Sequence, residues 1–237
     1  MSPKISVITV CYNAVSTIET TLLSVIAQSY ADIEYIVIDG ASTDGTTDII
    51  KKHAEHINFW CSEPDYGIFD AMNKGLQKAT GEWVVFMNAG DSFYSQETIS
   101  EISGELSNEW TMVYGDTQYI RSTGTEIEQA FEPRYILRNM PTSHQSFFIK
   151  TAIAKEIGFD TRYRYAADYN MVYQIYTKYS GKTKHVTIPV SSYEAITGLS
   201  MQHENEVYKE TLDIRNFSLH VLYGYVRYYI KKMIGRR

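Results

Sequence analysis

The chain has 237 residues, of which 44% are hydrophobic and 21% are charged. A chain of this length and composition can bury a sizeable core, which excludes intrinsic disorder as its main state. Its formal net charge of −6 argues against general nucleic-acid binding, so we expect no nucleic-acid partner. Neither a signal peptide nor an apolar run of ~20 residues is visible, which predicts a cytoplasmic protein.

Strands and helices alternate through the first third of the sequence. Apolar, largely β-branched runs predict strands over Ile5–Val10, Ile33–Ile38, Ile57–Cys61 and Trp83–Met87. Amphipathic segments between them predict helices, of which the first should open with a capping box at Ser16–Glu19 and the third should span Tyr66–Ala79. This order predicts an α/β fold with a mostly parallel, Rossmann-like central sheet flanked by helices.

The second half of the sequence is less regular. Strands are predicted over Thr111–Tyr114, Ser146–Lys150 and Lys184–Tyr193. We also expect a hairpin or loop at Tyr119–Glu132 and a helix at Asp168–Tyr179. Because no linker separates the halves, the second half should dock directly on the first.

Polar residues cluster where three of the predicted strands end. Tyr12 and Asn13 follow the first strand, Asp39 follows the second, and residues 88–91 follow the fourth. Ligands bind at the carboxyl ends of such strands, so these clusters predict a binding site rather than ordinary turn chemistry. Asp91 is a candidate ligand for Mn²⁺ or Mg²⁺, which prefer oxygen, or alternatively a helix N-cap ahead of Phe93.

Signatures of several common enzyme classes are absent from the sequence. GxGxxG and GxxxxGK[ST] do not occur, which disfavours a dinucleotide dehydrogenase and a P-loop ATPase. There is also no HExxH, no Cys/His cluster and no GxSxG, which disfavours a zinc site and a serine hydrolase. The chemistry therefore depends on the carboxylates and amides at the strand ends.

Four segments together make the sequence resemble the family-2 glycosyltransferases of the GT-A fold. They are SVITVCYN at 6–13, YIVIDGASTDGT at 35–46, EPDYGIFDAMNKG at 63–75 and GEWVVFMNAGD at 81–91. The resemblance is closest to bacterial enzymes that build exopolysaccharide, capsule or O-antigen repeat units. It implies an inverting, metal-dependent transfer of a sugar from a nucleotide-sugar donor, with a UDP-sugar favoured, to a saccharide or lipid-linked saccharide acceptor.

The resemblance also implies roles in donor binding. Tyr12 would contact the nucleobase and Asp39 would bind its edge. Further donor contacts are expected from residues of the same segments, namely Asn13, Asp44, Gly67, Asn73 and Asn88. Asp91 would lie in the metal-binding Asp-x-Asp region with Mn²⁺ or Mg²⁺ as the cofactor. The sequence departs from that pattern at Asn88 and Gly90, which leaves one carboxylate in the loop.

In the second half, Asp168 matches the place where the family has its catalytic aspartate. A general base is needed there to take the proton of the acceptor hydroxyl, although Asp is also favoured as a plain N-cap. His144, in a segment that resembles the family's His-Gln segment, would line the acceptor side. Ser200 matches the flexible loop that closes on the diphosphate, with His203 as a candidate late ligand of the metal.

We accordingly expect one GT-A catalytic domain at 1–213, with a nucleotide-sugar-binding half at 1–93 and an acceptor-binding half at 94–213. Residues 214–237 should form a basic amphipathic helical tail with six basic residues and no acidic residue. Such a helix can lie on an anionic membrane, here the inner face of the cytoplasmic membrane. The alternative is that its apolar stripe packs on the protein's own body or on a second copy in a homodimer.

Two other functions remain open on the sequence. A nucleotidyltransferase would share this kind of sheet but should carry a Gly-rich, Lys/Arg-bearing loop after the first strand, and residues 12–15 offer none. A non-catalytic nucleotide-sugar-binding module is suggested by the missing carboxylates. Turnover of a nucleotide-sugar would distinguish an enzyme from that module.

Overall fold

The computed structural model describes residues 2–179, 181–194 and 203–215. Within these residues, nine strands form a single sheet, six α-helices pack against it, and a seventh packs on one of these six. None of the helices in the described stretches is long and apolar enough to cross a membrane. The predicted tail lies outside the described residues, apart from Ile214 and Arg215.

The strands and helices have the following bounds. The strands are β1 Ile5–Cys11, β2 Ile33–Asp39, β3 Phe59–Ser62, β4 Trp83–Phe86, β5 Ser92–Phe93, β6 Met112–Arg121, β7 Gly124–Glu128, β8 Phe147–Lys150 and β9 Thr183–Glu194. The helices are α1 Ile18–Ile26, α2 Thr46–Lys52, α3 Ile68–Lys78, α4 Thr98–Ser103, α5 Thr151–Ile157, α6 Ala167–Lys178 and α7 Glu204–Ile214. Short 3₁₀ turns occur at Ala54–His56, Pro133–Tyr135 and His144–Ser146.

The first four strands form the predicted parallel half of the sheet, in the order β3-β2-β1-β4. Cys11 pairs with Asp39 and Asp39 pairs with Ser62, so these three strands end at one edge of the sheet. The α/β prediction is therefore confirmed, and the loops that follow β1, β2 and β3 lie side by side.

The rest of the sheet mixes strand directions. β8 runs antiparallel to both β4 and β6, whereas β9 runs parallel to β6 and antiparallel to β5. β7 forms a hairpin with β6, which confirms a hairpin within the predicted region. Because β4 and β8 are paired, strands from both halves of the chain belong to one continuous sheet.

Two hydrophobic clusters lie on opposite faces of the sheet. Successive residues of a strand face opposite sides, so Val7 joins the cluster beneath α1, α2 and α4 while Ile8 joins the cluster beneath α3, α5 and α6. On the second face, a methyl group on Gly75 of α3 would lie 2.5 Å from Cγ2 of Ile8. The glycine therefore lets α3 pack closely against β1, next to the edge where the polar loops lie.

The predicted capping box at Ser16–Glu19 is wrong. Helix α1 begins at Ile18, and its N-cap residue, Thr17, makes no side-chain capping bond. Instead, the backbone N–H groups of Thr17 and Ile18 donate to the carbonyl of Ala14, so a tight turn leads into the helix. This turn is set by the loop after β1 rather than by the local Ser-x-x-Glu pattern.

Candidate active site

Two predicted donor residues hold the loops after β1 and β2 together. Asn13 has a left-handed backbone with φ of 47°, and its Oδ1 accepts a bond from the N–H of Thr43 at 3.0 Å. Asp44 accepts bonds from the N–H groups of Val15 and Thr46, each at 3.0 Å. The Thr46 hydroxyl and these N–H groups hold the pKa of Asp44 below its usual value. Both side chains thus shape the edge of the sheet.

Asp39 lies at the floor of this edge and is fully buried. Its carboxylate accepts bonds from the N–H of Ser42 at 2.9 Å and from the hydroxyl of Ser62 at 2.6 Å. A nucleobase could therefore reach Asp39 only if the residues that cover it move. Tyr12, in contrast, is 65% exposed and already available to a ligand.

The segment ahead of α3 adds two residues that the sequence did not single out. Asp65 accepts a bond from the N–H of Gly67 at 2.8 Å, and Gly67 begins α3 with φ of 117°. A methyl group on Gly40 would lie 2.5 Å from Oδ2 of Asp65 and 3.3 Å from the ring of Tyr12. Tyr66 is 99% exposed beside them. The sequence signal for these two residues was their position directly before Gly67, the N-cap residue of α3.

Asn73, expected to contact the donor, bonds to the second half of the chain. Its side-chain amide donates to the carbonyl of Phe159 and accepts from the N–H of Phe159, both at 2.8 Å. The side-chain amide of Asn73 thus uses one N–H and its carbonyl oxygen in hydrogen bonds to the backbone between α5 and α6. These contacts connect α3 to the second half of the chain, and a contact of Asn73 with the donor stays a prediction.

Asn88, His144 and Asp168 form a continuous chain of contacts between the two halves. Nδ2 of Asn88 lies 2.9 Å from Nε2 of His144, and Nδ1 of His144 lies 3.5 Å from Oδ2 of Asp168. Asp168 also accepts a bond from the N–H of Tyr169 at 2.7 Å. The donor side and the acceptor side, predicted separately, therefore meet at these three side chains.

The surroundings of His144 favour its charged form. Burial alone would lower the pKa of His144, but its hydrogen bond to Asp168 and the charges of Asp168 and Asp91 raise this pKa above its usual value. Oδ1 of Asn88 is buried without a partner. A half turn of the Asn88 amide would give this oxygen the N–H of protonated His144, which satisfies both groups.

Asp91 is buried, and no helix follows it, so the alternative of an N-cap ahead of Phe93 is wrong. Burial raises the pKa of Asp91 to about 6. The charge of His144 and a hydrogen bond from Gln145 lower this pKa and offset only part of the effect of burial. Gln145 lies next to His144 in the sequence, and its Oε1 is buried without a partner. This part of the site therefore contains one buried carboxylate, that of Asp91, and two buried amide oxygens without a hydrogen-bond partner, those of Asn88 and Gln145.

Asp168 is not an N-cap either, because the N-cap of α6 is Ala166. Asp168 lies in the first turn of the helix, where its side chain is 21% exposed. An ionised carboxylate is stabilised at a helix N-terminus, and partial exposure lets it meet a second molecule. The partial exposure suits a group that accepts a proton from a bound hydroxyl.

A cavity of about 590 Å³ opens on the side of Asp168 and His144. Its walls come from β6 and β7, the segment before β8, the start of α6, and α7. Six aromatic side chains line it: Tyr119, Phe131, Tyr165, Tyr169, Tyr193 and Tyr208. The predicted donor residues of the first half do not line this cavity, so it is a second compartment next to them.

The remaining predicted residues add less to the site. Ser200 lies outside the described residues. His203 is described, and its ring packs on Tyr165 with ring centroids 4.6 Å apart. The described residues contain no group of three or more His, Cys, Asp or Glu side chains that could hold a metal ion.

Two relatives of known class are similar in sequence. A "PGL/p-HBAD biosynthesis glycosyltransferase" of Mycobacterium tuberculosis is 30% identical over 205 residues, which cover 84% of this chain and 80% of the relative. A "putative teichuronic acid biosynthesis glycosyltransferase TuaG" of Bacillus subtilis is 31% identical over 130 residues, covering 54% of this chain and 52% of the relative.

Two solved structures are similar in fold. Residues 1–349 of S. aureus TarS in complex with UDP superpose with a TM-score of 0.71 at 20% identity, covering 90% of this chain and 64% of that one. The mannosyltransferase PcManGT from Pyrobaculum calidifontis, in complex with GDP-Man and Mn²⁺, gives 0.67 at 22% identity, covering 92% and 66%. The chain thus spans about two thirds of each, and these likenesses confirm the expected GT-A fold.

Most of the chain matches one protein family. The family model described as "Glycosyl transferase family 2" matches residues 6–172, which include β1 to β8 and the start of α6. Together with the relatives of 30% identity, this match shows that the chain belongs to glycosyl transferase family 2.

Proposed function

We propose that this glycosyltransferase transfers a sugar, with inversion, from a nucleotide-sugar to a saccharide or lipid-linked saccharide acceptor. The observation that carries the proposal is the contact chain from Asn88 through His144 to Asp168. It joins the strand-end loops, where the donor would bind, to the aromatic cavity, where the acceptor would bind.

The names of similar proteins support the substrate classes. TarS has been solved with UDP and with UDP-GlcNAc, and PcManGT with GDP-Man, all of which are nucleotides or nucleotide-sugars. TuaG and the mycobacterial relative are named for teichuronic acid and PGL/p-HBAD biosynthesis. We infer a donor of this class, with a UDP-sugar favoured, and a role in the synthesis of a cell-surface polysaccharide or glycolipid.

In the proposed mechanism, Asp168 acts as the general base. The acceptor hydroxyl attacks the anomeric carbon, its proton passes to Asp168, and the bond to the nucleoside diphosphate breaks on the opposite face. One direct displacement of this kind inverts the anomeric configuration. His144 keeps the carboxylate of Asp168 directed at the acceptor through its contact of 3.5 Å.

The residues present fit a divalent metal that is held mainly by its substrate. Mg²⁺ and Mn²⁺ commonly bind one or two carboxylates plus substrate phosphates, and here Asp91 is the available carboxylate, because Oδ1 of Asn88 would accept the N–H of a protonated His144. When bound, the metal would offset the charge that develops on the leaving diphosphate. A cation would also stabilise the ionised form of Asp91, which burial disfavours.

The proposal is tested by screening UDP-, GDP- and dTDP-sugars by thermal shift, with and without Mn²⁺. Binding stabilises the folded state by mass action, so the true donor should raise Tm most. Release of nucleoside diphosphate and NMR of the product anomer then report turnover and stereochemistry. Binding without turnover, including with extracted lipid acceptors, would support the non-catalytic module, whereas a product of retained configuration would contradict inversion.

We further propose that the basic tail brings the enzyme to an anionic membrane on which a lipid-linked acceptor resides. The support is the sequence of residues 214–237, with its six basic residues and its apolar stripe. The competing arrangement is that the stripe packs on the protein or on a second copy.

A further inference from the structure

A single carboxylate on α7 binds the backbone ahead of α6. The N–H of Arg164 donates to Oε1 of Glu210 at 2.9 Å, and those of Tyr165 and Ala166 donate to Oε2, each at 2.8 Å. Three consecutive N–H groups at a helix entry have no partner within the helix itself. Hydrogen bonds to an ionised carboxylate are also stronger than those between neutral groups, so this contact fixes the turn at 164–166.

The fixed turn lies directly before the proposed general base. Ala166 is the N-cap of α6, and Asp168 follows two residues later in the first helical turn. With so little chain between them, a change in the turn shifts the carboxylate of Asp168 relative to His144 and to the cavity. Misplacement by about 1 Å can reduce turnover by roughly 10²-fold.

The end of α7 holds the other side of the same segment. Nε of Arg215, which directly follows α7, donates to Oη of Tyr169 at 3.0 Å, and Oη donates to the carbonyl of Ile136 at 2.8 Å. Tyr169 is the residue after Asp168. Helix α7 therefore contacts the chain both before and after the proposed base.

We propose that Glu210 is a positioning residue of this enzyme, which holds Asp168 in its reactive placement by binding the backbone of 164–166. The inference rests on the proposed function in one respect, the assignment of Asp168 as the general base. Glu210 itself need not touch either substrate. It lies well outside the four sequence segments that carry the family resemblance.

The chain offers a matched control on the same helix and the same loop. Oη of Tyr163 donates to Oδ2 of Asp213 at 2.9 Å, which joins α7 to the loop through side chains alone. Tyr163→Phe removes that bond without changing the backbone contacts of Glu210. If α7 matters only as a packing element, Tyr163→Phe and Glu210→Ala should affect turnover alike.

The experiment measures nucleoside diphosphate released from the best donor of the screen, with water as the acceptor, below the unfolding transitions of all variants. Glu210→Ala should lower kcat roughly 10- to 100-fold, while the Kd for UDP by calorimetry stays within about twofold. Glu210→Gln should lose less, because its carbonyl oxygen can still accept from Tyr165 and Ala166. Tyr163→Phe should keep near wild-type kcat.

A double variant separates positioning from general damage. If Glu210 acts through Asp168, adding Glu210→Ala to Asp168→Asn should slow the reaction no further. Additive losses, an unchanged kcat in Glu210→Ala, or an equal loss in Tyr163→Phe would each overturn the inference. Full turnover in Asp168→Asn alone would instead contradict the proposed base, which distinguishes failure of the function from failure of the positioning role.

Discussion

Asp168 combines a position in the first turn of α6, partial exposure and a histidine partner, so its carboxylate is held in place and can be reached by a second molecule. We expect Asp168→Asn to reduce turnover by ~10²–10⁴-fold, because proton transfer from the acceptor is lost in the transition state. Donor affinity should hardly change, and calorimetry with UDP checks this. A variant that keeps more than half of the wild-type turnover, within about twofold in kcat, would remove Asp168 from the mechanism.

The buried Asp91 should give a distinctive pH dependence of stability. Its pKa is raised from 3.8 to about 6, so the folded state binds the proton more tightly than the unfolded chain does. The contribution of Asp91 to stability must then fall as pH rises from about 4 to about 6 and stay level above, by at most about 3 kcal/mol. Asp91→Asn removes this loss of stability. The Tm of the variant minus the Tm of the wild type should therefore become more positive as pH rises from about 4 to about 6.

Asp160 provides a control of opposite sign for the Asp91 experiment. The Arg162 guanidinium lowers the pKa of Asp160, so this carboxylate stabilises the fold at neutral pH and the contribution is lost as pH falls. Asp160→Asn should therefore lose Tm relative to wild type at neutral pH and approach it in acid. A pH-independent Tm difference for Asp91→Asn would show that the Asp91 carboxyl group has an ordinary pKa.

For single residues, the sequence predicted the positions of polar groups in the sheet better than it predicted the contacts that each group makes. Asp39 and Asp91 lie at strand ends because the alternation of strands and helices places them there. The amide of Asn73 bonds to Phe159, which lies 86 positions away, and the sequence did not predict this contact. A contact at that separation is fixed by packing of α3 against the second half, which no local pattern encodes.

Among the elements, β6 and β9 depend on a close approach at Gly115. A methyl group there would overlap the carbonyl oxygen of Ile188 and lie 2.7 Å from Cγ2 of Val190. The β6–β9 register shifts at this point, between Tyr114 and Asp116. We expect Gly115→Ala to lower the free energy of unfolding by about 1–3 kcal/mol in urea, because backbone atoms cannot move aside cheaply.

Gly104 is the matched control for this substitution. It ends α4 with φ of −65°, and the nearest atom to an added methyl group would be the carbonyl oxygen of Glu101 at 3.7 Å. Gly104→Ala should therefore leave stability unchanged or raise it slightly. A Gly115→Ala protein as stable as the Gly104→Ala protein would refute the steric account of the β6–β9 contact.

The prediction of elements succeeded where periodicity was strong. Strands β1, β2 and β4 and helix α3 were predicted because their apolar residues recur at strand or helix spacing. The two-residue strand β5 and the helices α4 and α7 were missed. Ser92–Phe93 is too short to show a period, and α7 buries only Leu212 and Ile214, so its position depends on contacts such as that of Glu210.

At the scale of the whole molecule, the tail makes a testable difference to membrane binding. The full chain should sediment with phosphatidylglycerol vesicles at low salt, and a chain ending at Asn216 should not. Each basic residue near an anionic surface contributes about 1 kcal/mol, so high salt or neutral vesicles should abolish binding. Equal and negligible sedimentation of both chains would leave the tail as a packing or dimer element.

The position of β9 also bears on how the protein is made. This strand lies between β6 and β5, and among the described residues it is the strand that pairs with β5. During synthesis, β1 to β4 can assemble once they emerge, but the edge of β6 stays open until residues 183–194 have followed. At roughly 5–20 residues per second the ribosome needs several seconds to add residues 122–194, which lie between the end of β6 and the end of β9, and during this time the unpaired edge can pair with another chain. Nascent chains stalled before residue 183 should therefore aggregate or recruit chaperones, and those stalled well after residue 215 should not.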